Sequence, residues 1–440
     1  MRVLRIAGNG ARKLGKSVMI HRARENVARS VRFEQPLVIA HVQTRMNRSG
    51  GAEENTWASC VHQAQSGHVV HLFCGRSSDV EEYAARGTPV RVHLVDEMVR
   101  DVSAQGDIAA YRRLSALFGE IRADVVHTHT SKAGIVGRLA ASNAKVPAIV
   151  HGVHILPFSN VGLAEKVVYL AAEHIAAPMT DHFIHVSHGT REAYALARLG
   201  GNRLHSVVRS GMDIDRYQNA AWPEDWRGLI GVAPDAAKPR TILMMAVLEA
   251  RKRQAEFITG FARVTQRGED IRLLIAGDGP DRDRLAALVA ELDVGDRVKL
   301  LGHRSDPERL VALADLCALA SLREGLPRTI VQSLAGGKPA VVSPLRGIEE
   351  IIESGVNGIV VQRTDAESVA REAANLVRDD MRLARMTHAA SSVTVDGWKF
   401  ASMFAQLDQA YRETLALPRV AARLAARDAA RGEQEVYRWA

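Results

Sequence analysis

From Pro36 onward, short runs of β-branched and aliphatic residues alternate with longer stretches whose apolar positions recur every three or four residues. Short β-rich runs separated by amphipathic helices are the pattern of parallel sheets built from strand–helix–strand units. In the first half the pattern predicts strands over 37–42, 69–73, 90–95, 125–129, 148–151, 183–186 and 206–208, with helical runs such as 53–65, 109–121 and 131–144 between them. The alternation breaks over 218–240, where Trp222, Pro223, Gly228, Gly231, Pro234 and Pro239 cluster as turn signals. It resumes with strands over 241–247, 271–276, 298–301, 316–320, 340–342 and 359–361. Two doubly wound α/β domains in series are the simplest architecture. The expected division is a basic extension over 1–35, a first domain over 36–217, a connection over 218–240, a second domain over 241–395 and a helical segment over 396–440.

Length and composition fit that division. A chain of 440 residues is too long for one ordinary core and suits two domains of about 180–200 residues. With 47% hydrophobic and 25% charged residues the composition is globular. Lys and Arg total 58 against 50 for Asp and Glu, a formal charge of +8 that favours anionic partners. Nucleic acid is not expected among them, because aromatics are only 5% and no basic stretch interleaves them as a stacking platform requires. Cys60, Cys74 and Cys317 are scattered, which argues against a disulfide framework or a cysteine zinc site and for thiols in a reducing cytoplasm.

No stretch reads as membrane-spanning. The longest uncharged apolar run, 146–164, is interrupted by Pro147, His151, His154 and Pro157. The first 35 residues carry nine Lys and Arg against Glu25 and Glu34 and lack the apolar region of a secretory signal. They read as a basic arm for a membrane surface, a start codon placed too early or an Arg-rich transit sequence. Near the other end, Arg419, Arg423, Arg427 and Arg431 stand four apart, one basic stripe along a helix. Its meanings are a solvated face or attraction to anionic lipid. The expected location is the cytoplasm, with peripheral contact at the inner face of an anionic membrane.

In open α/β sheets, ligands sit beyond the carboxyl ends of the strands, so candidates are the polar residues and glycines that follow apolar runs. Gly50 and Gly51 form a turn after the first strand, where backbone amides and a helix start favour an anion; a plain tight turn explains them equally well. His127 and His129 share one strand face. No nearby acid or cysteine completes a metal ligand set, so no metal is expected and hydrogen-bonded positioning of loops is the better reading. His151 and His154 follow the next strand, each a candidate substrate contact or a core histidine. In the second half, Arg251, Lys252 and Arg253 crowd the end of a strand, a costly arrangement unless an anion such as a diphosphate is expected. Finally, Glu324 precedes Gly325, Leu326, Pro327 and a helix start, which pairs a hydroxyl acceptor with anion-binding amides.

These motifs, in this order, resemble the glycosyltransferase family 4 group. The resemblance runs from about Leu37 to Tyr411 and rests on the Gly50-Gly51 turn, the run from His127 to Gly134, and Ser210 to Asp213. It continues through Ile275 to Pro280, Leu301-Gly302 and the Glu324 block. It implies a GT-B architecture, two facing Rossmann-like domains with a C-terminal helical tail, and a retaining, metal-independent transfer without a cofactor. The nucleotide diphosphate sugar, a UDP-sugar by preference, is expected in the second domain, and a lipid-linked or polysaccharide acceptor in the first. Glu324 matches the first acid of the family's E-x7-E motif, Lys252 the lysine that neutralises the diphosphate, and His154 the histidine that points at the donor sugar. Gly325, Leu326 and Pro327 match the backbone along the phosphates, with His303 and Arg304 near the base. Two positions depart from the pattern. The second acid is Gln332, which can still accept from a ribose hydroxyl, and the arginine expected before the lysine is replaced by Ala246 and Val247, with Arg251 or Arg253 as substitutes. Those departures motivate two alternatives, a nucleotide-sugar-binding subunit that has lost turnover and a GT-B isomerase of the nucleotide sugar.

Overall fold

The computed structural model describes residues 35–439 apart from 48, 49, 77, 78, 86, 100 and 102. The expected basic extension lies outside the described residues, except for Gln35.

Seven strands form the first sheet: Val38–Gln43 (β1), Val69–Cys74 (β2), Arg91–Leu94 (β3), Val125–His129 (β4), Ala148–Val153 (β5), His182–His185 (β6) and Leu204–Val207 (β7). Their order is β3-β2-β1-β4-β5-β6-β7, and every pairing is parallel. Arg240–Met245 (β8), Ile271–Ala276 (β9), Val298–Gly302 (β10), Leu316–Leu319 (β11), Ala340–Val342 (β12) and Gly358–Val360 (β13) form the second, in the order β10-β9-β8-β11-β12-β13. Both sheets therefore reverse direction beside their first strand. Crevices for ligands open at such switch points, here between β1 and β4 and between β8 and β11.

Period-two alternation explains why each sheet is buried on both faces. In β8, Leu243 and Met245 enter one apolar cluster while Ile242 and Met244 enter the cluster on the other side. The edge strands β3 and β7 contain no buried residue, because each closes one side of the first sheet; β7 is partly buried along all four residues. Strand β7 begins two residues before the run that hydrophobicity picks out.

The helices that position the site are Gly51–Gln65 (α1), Ala104–Glu120 (α2), Ser131–Asn143 (α3), Leu163–Ala176 (α4), Gln254–Val264 (α5) and Arg328–Ala335 (α6), with Phe400–Leu415 (α7) and Pro418–Trp439 (α8) at the end. Helix α7 returns to the first sheet. Asp408 accepts from His62 at 3.0 Å, Tyr411 meets His127 at 3.1 Å and Thr414 meets His182 at 2.8 Å.

Helix α8 corrects the expectation for the arginine stripe. Arg419 and Arg423 lie 2.9 and 2.6 Å from Asp181, and Arg427 pairs with Asp124. Those carboxylates stand just before β6 and β4, where they also accept strand amides from Ile149 and Val38. Buried at 2% exposure each, they need cations, so the stripe faces protein along this stretch; the Arg431 side chain lies outside the described residues. Among the described residues no helix is long and apolar enough to cross a membrane, and all three cysteines are free and buried.

Candidate active site

Two loops that follow neighbouring strands of the second sheet build the centre of the site. After β8 the chain makes a single 3-10 turn over Ala250–Lys252 and enters α5 through Arg253. After β11 it runs through Ser321 and Glu324 into α6. The Leu322 amide donates to the Arg251 carbonyl at 2.9 Å and clasps the two loops together. Lys252 Nζ lies 2.5 Å from Glu324 Oε1, and Arg251 Nη1 lies 3.3 Å from Glu324 Oε2. Arg251 Nε also holds Glu249 at 2.7 Å. Burial lowers the Lys252 pKa, with Glu324 opposing it. Burial alone would raise Glu324, but Lys252 and Arg251 outweigh it and hold the carboxyl below its ordinary value.

The two halves of the chain meet over this pair. A Cβ on Gly325 would sit 1.8 Å from the His154 carbonyl oxygen, so only glycine permits this approach. The Ser187 hydroxyl donates to the Gly325 carbonyl at 2.8 Å, Asn160 donates to the Leu322 carbonyl, and Arg323 donates to the Ser159 carbonyl at 3.4 Å. Arg328, the first residue of α6, reaches the Gly51 carbonyl at 2.8 Å, Glu54 at 2.6 Å and the Gly211 carbonyl at 3.2 Å. Beside it the Glu53 carboxyl folds over Gly50, and burial raises its pKa.

His154 heads a chain of imidazoles. Its Nε2 meets His129 Nδ1 at 2.9 Å, His129 Nε2 meets His41 Nδ1 at 2.9 Å, and His41 Nε2 meets Gln63 Oε1 at 2.7 Å. An amide oxygen only accepts, so His41 carries its hydrogen on Nε2, His129 donates to His41, and His154 donates to His129. Burial, with Arg328 next in effect, lowers His154 to about 4, and burial does the same for His41. His151 points elsewhere, into the core, where it meets the Thr128 hydroxyl at 2.9 Å.

The strand register adds a ligand that reasoning along the chain overlooked. His41 of β1 lies opposite His127 of β4, so His41, His127 and His129 each present a nitrogen within 4.8 Å of the others and could hold a metal ion. The expectation of an incomplete ligand set considered only nearby acids and cysteines. Among the described residues no carboxylate or thiol joins the trio, and two of its members already hydrogen-bond each other.

Residues 50–210 match the family model described as a glycosyl transferase 4-like domain, and residues 232–393 match the one described as glycosyl transferases group 1. The chain belongs to the GT4-type glycosyltransferases, with the GT-B fold. It is 26% identical over 347 residues to the UDP-Gal:alpha-D-GlcNAc-diphosphoundecaprenol alpha-1,3-galactosyltransferase of Escherichia coli, covering 78% of this chain and 88% of that one. The N-acetyl-alpha-D-glucosaminyl L-malate synthase of Bacillus anthracis is 22% identical, over 70% of this chain and 80% of its own. Among solved structures, Anabaena Alr3699/HepE in complex with UDP and glucose superposes with a TM-score of 0.69 at 21% identity, covering 86% of this chain and all of that one.

Within this glycosyltransferase, Lys252, Glu324, Arg251, Gly325, His154 and Gly51 gather around one crevice. Leu326 and Pro327 are buried behind it and lead into α6. Gly50 caps the start of α1 beside Glu53. Of the two substitutes for the absent arginine, Arg251 reaches Glu324, whereas Arg253 turns away to the Thr364 carbonyl. Gln332 and His303 stand apart from the ion pair. Gln332 is partly buried one turn beyond Arg328 on α6, and His303 is exposed after β10, two strands from β8. Arg328 and Glu53 were not among the expected site residues. The only local signal for Arg328 is a charge directly after Pro327 in the Glu324 block.

Proposed function

We propose that this protein is a retaining glycosyltransferase that moves a sugar from a UDP-sugar to a lipid-linked or polysaccharide acceptor in cell-surface glycan synthesis. The observation that carries the reading is the buried Lys252–Glu324 pair at the second sheet's switch point, directly across from His154. The UDP in the Anabaena structure and the lipid diphosphate acceptor in the name of the Escherichia coli relative support the choice of substrates. The segment 36–217 then serves as acceptor domain and 241–395 as donor domain, joined by 218–240. The enzyme works in the cytoplasm, at the surface of an anionic membrane.

Breaking the anomeric bond builds positive charge on the sugar and negative charge on the departing diphosphate. A preorganised ammonium and helix-start amides aimed at that diphosphate stabilise the transition state more than the ground state. Without donor, Lys252 and Glu324 satisfy each other. With donor seated, Lys252 turns to the diphosphate and Glu324 to hydroxyls of the sugar, while Arg251 keeps the carboxylate ionised. Gly325, Leu326 and Pro327 lay their backbone along the phosphates, Gly50 and Gly51 close from the other side, Gln332 accepts from the ribose and His303 borders the base. His154, held neutral with Nε2–H committed to His129, presents Nδ1 as an acceptor towards the sugar. Attack from the face that the diphosphate leaves retains the anomeric configuration and calls for no metal ion.

A thermal-shift panel of UDP-, GDP- and ADP-sugars tests the donor. Ligand at a hundredfold over its Kd stabilises by about 2.7 kcal/mol, so UDP-sugars should raise Tm and the others should not. NMR of the product tests the stereochemistry; an inverted anomer rules the mechanism out.

A further inference from the structure

Helix α4 turns much of its apolar surface outward. Of its fourteen residues only Glu173 and Ala176 are buried, and Glu173 is there because it pairs at 2.8 Å with the fully buried Arg138. Tyr169 and Leu170 pack inward against an apolar cluster, but its other large apolar side chains face outward. Leu163, Val167, Val168 and Ile175 are 80, 58, 66 and 61% exposed. Positions 163, 167, 171 and 175 stand four apart on one helix face, and Val168 widens the stripe. Four of the eleven large apolar side chains exposed among the described residues lie on this one helix, which makes it a patch and not scatter.

The two ends of α4 say what the patch meets. Its first residue follows directly from the loop that carries His154 and Asn160, so the stripe begins at the mouth of the crevice. Its last residue continues through the turn Ala177–Met179 into the wall of a cavity of about 880 Å³. That cavity is lined by Arg122, Lys145 and Arg203, and by Arg419, Arg423 and Arg427, whose partners Asp181 and Asp124 offset two charges and leave the wall net positive. An apolar helix face ending in a cluster of cations suits a bilayer bearing anionic headgroups.

We propose that α4 is the membrane-docking surface of the enzyme, lying in the headgroup layer with the basic cavity against lipid phosphates, so that the crevice opens at the bilayer. This placement rests on the reading that the enzyme works at a membrane, and it is independent of the donor assignment.

Flotation of the full chain with vesicles tests it, using phosphatidylcholine alone or mixed equally with phosphatidylglycerol. The protein should float with the mixed vesicles, and high salt should weaken binding. V167E/V168E, at two exposed positions, should bind at least tenfold less while keeping its Tm and its turnover on a soluble acceptor. The exposed Lys145→Glu should weaken binding to the mixed vesicles alone. Unmodified protein that floats with neither vesicle overturns the membrane reading together with the docking surface. V167E/V168E floating as well as the unmodified chain overturns the surface assignment only. A concentration-dependent dimer in gel filtration that V167E/V168E dissolves assigns the face to a second copy and overturns the proposal.

Discussion

Replacing Lys252 with alanine separates what the ion pair does for folding from what it does for catalysis. The ammonium lies 2.5 Å from Glu324 Oε1, and the two side chains are only 12 and 10% exposed. Removing one member of an uncompensated buried pair costs about 3–5 kcal/mol, because a charge is left without its partner. Here Arg251 remains 3.3 Å from the other carboxylate oxygen, so the expected loss is about 2–3 kcal/mol, below that range. Turnover should fall further, by roughly 10²–10³-fold in kcat, the effect of deleting one donor to a developing negative charge. The double variant K252A/E324A removes the stranded charge. It should therefore be more stable than K252A, yet no more active. Differential scanning fluorimetry reads the first quantity, and coupled detection of released UDP reads the second. K252A with kcat within about threefold of the unmodified enzyme would remove the oxyanion-type role. A double variant less stable than K252A would show that Glu324 has other partners that matter more.

Four further outcomes are expected. Gly325→Ala places a Cβ 1.8 Å from the His154 carbonyl, so the two halves of the crevice must part; kcat should drop roughly 100-fold from misplacement with Tm little changed, and unchanged kcat would show the approach is not needed. Gln332→Glu should leave kcat within about threefold, since a carboxylate accepts the same ribose bond more strongly; a severe loss in steady-state assays would mean that Gln332 makes some other contact. Arg138→Ala strands Glu173, whose side chain is 3% exposed, and should cost about 3–5 kcal/mol in urea unfolding, while R138M/E173L should recover most of it. Burial holds His41, His154 and His182 at about 4 in the folded chain against 6.5 unfolded. The unfolded chain then binds more protons between those values, so the stability present above pH 6.5 should decline towards pH 4 by about 1.4 kcal/mol per pH unit per histidine; a urea midpoint that stays flat from pH 7 to 5 contradicts this.

The strands were legible because a parallel sheet covered on both faces demands largely apolar runs; 271–276 and 340–342 coincide with β9 and β12 residue for residue, and 125–129 with β4 although two of its five residues are histidines. Lys252 and Glu324 were legible for a related reason: each lies in a short motif directly after a strand, and adjacent strands bring such motifs together. What local sequence cannot carry is register and facing. His41 joins His127 and His129 only because β1 and β4 pair at that offset. Arg328 reaches Gly51 across 277 residues of chain. The fourfold arginine spacing in α8 defined a face correctly, but Asp124 and Asp181, acids far away in sequence, decide what the face meets. Helix α4 makes the point most sharply. Periodicity gives the phase of an amphipathic helix and leaves its sign to be assumed, because the apolar side normally turns inward. In α4 the buried guanidinium of Arg138 draws Glu173 to the inward side, beside Tyr169 and Leu170. Leu163, Val167 and Val168 are then left on the outside, where an aqueous environment offers them nothing and a bilayer does.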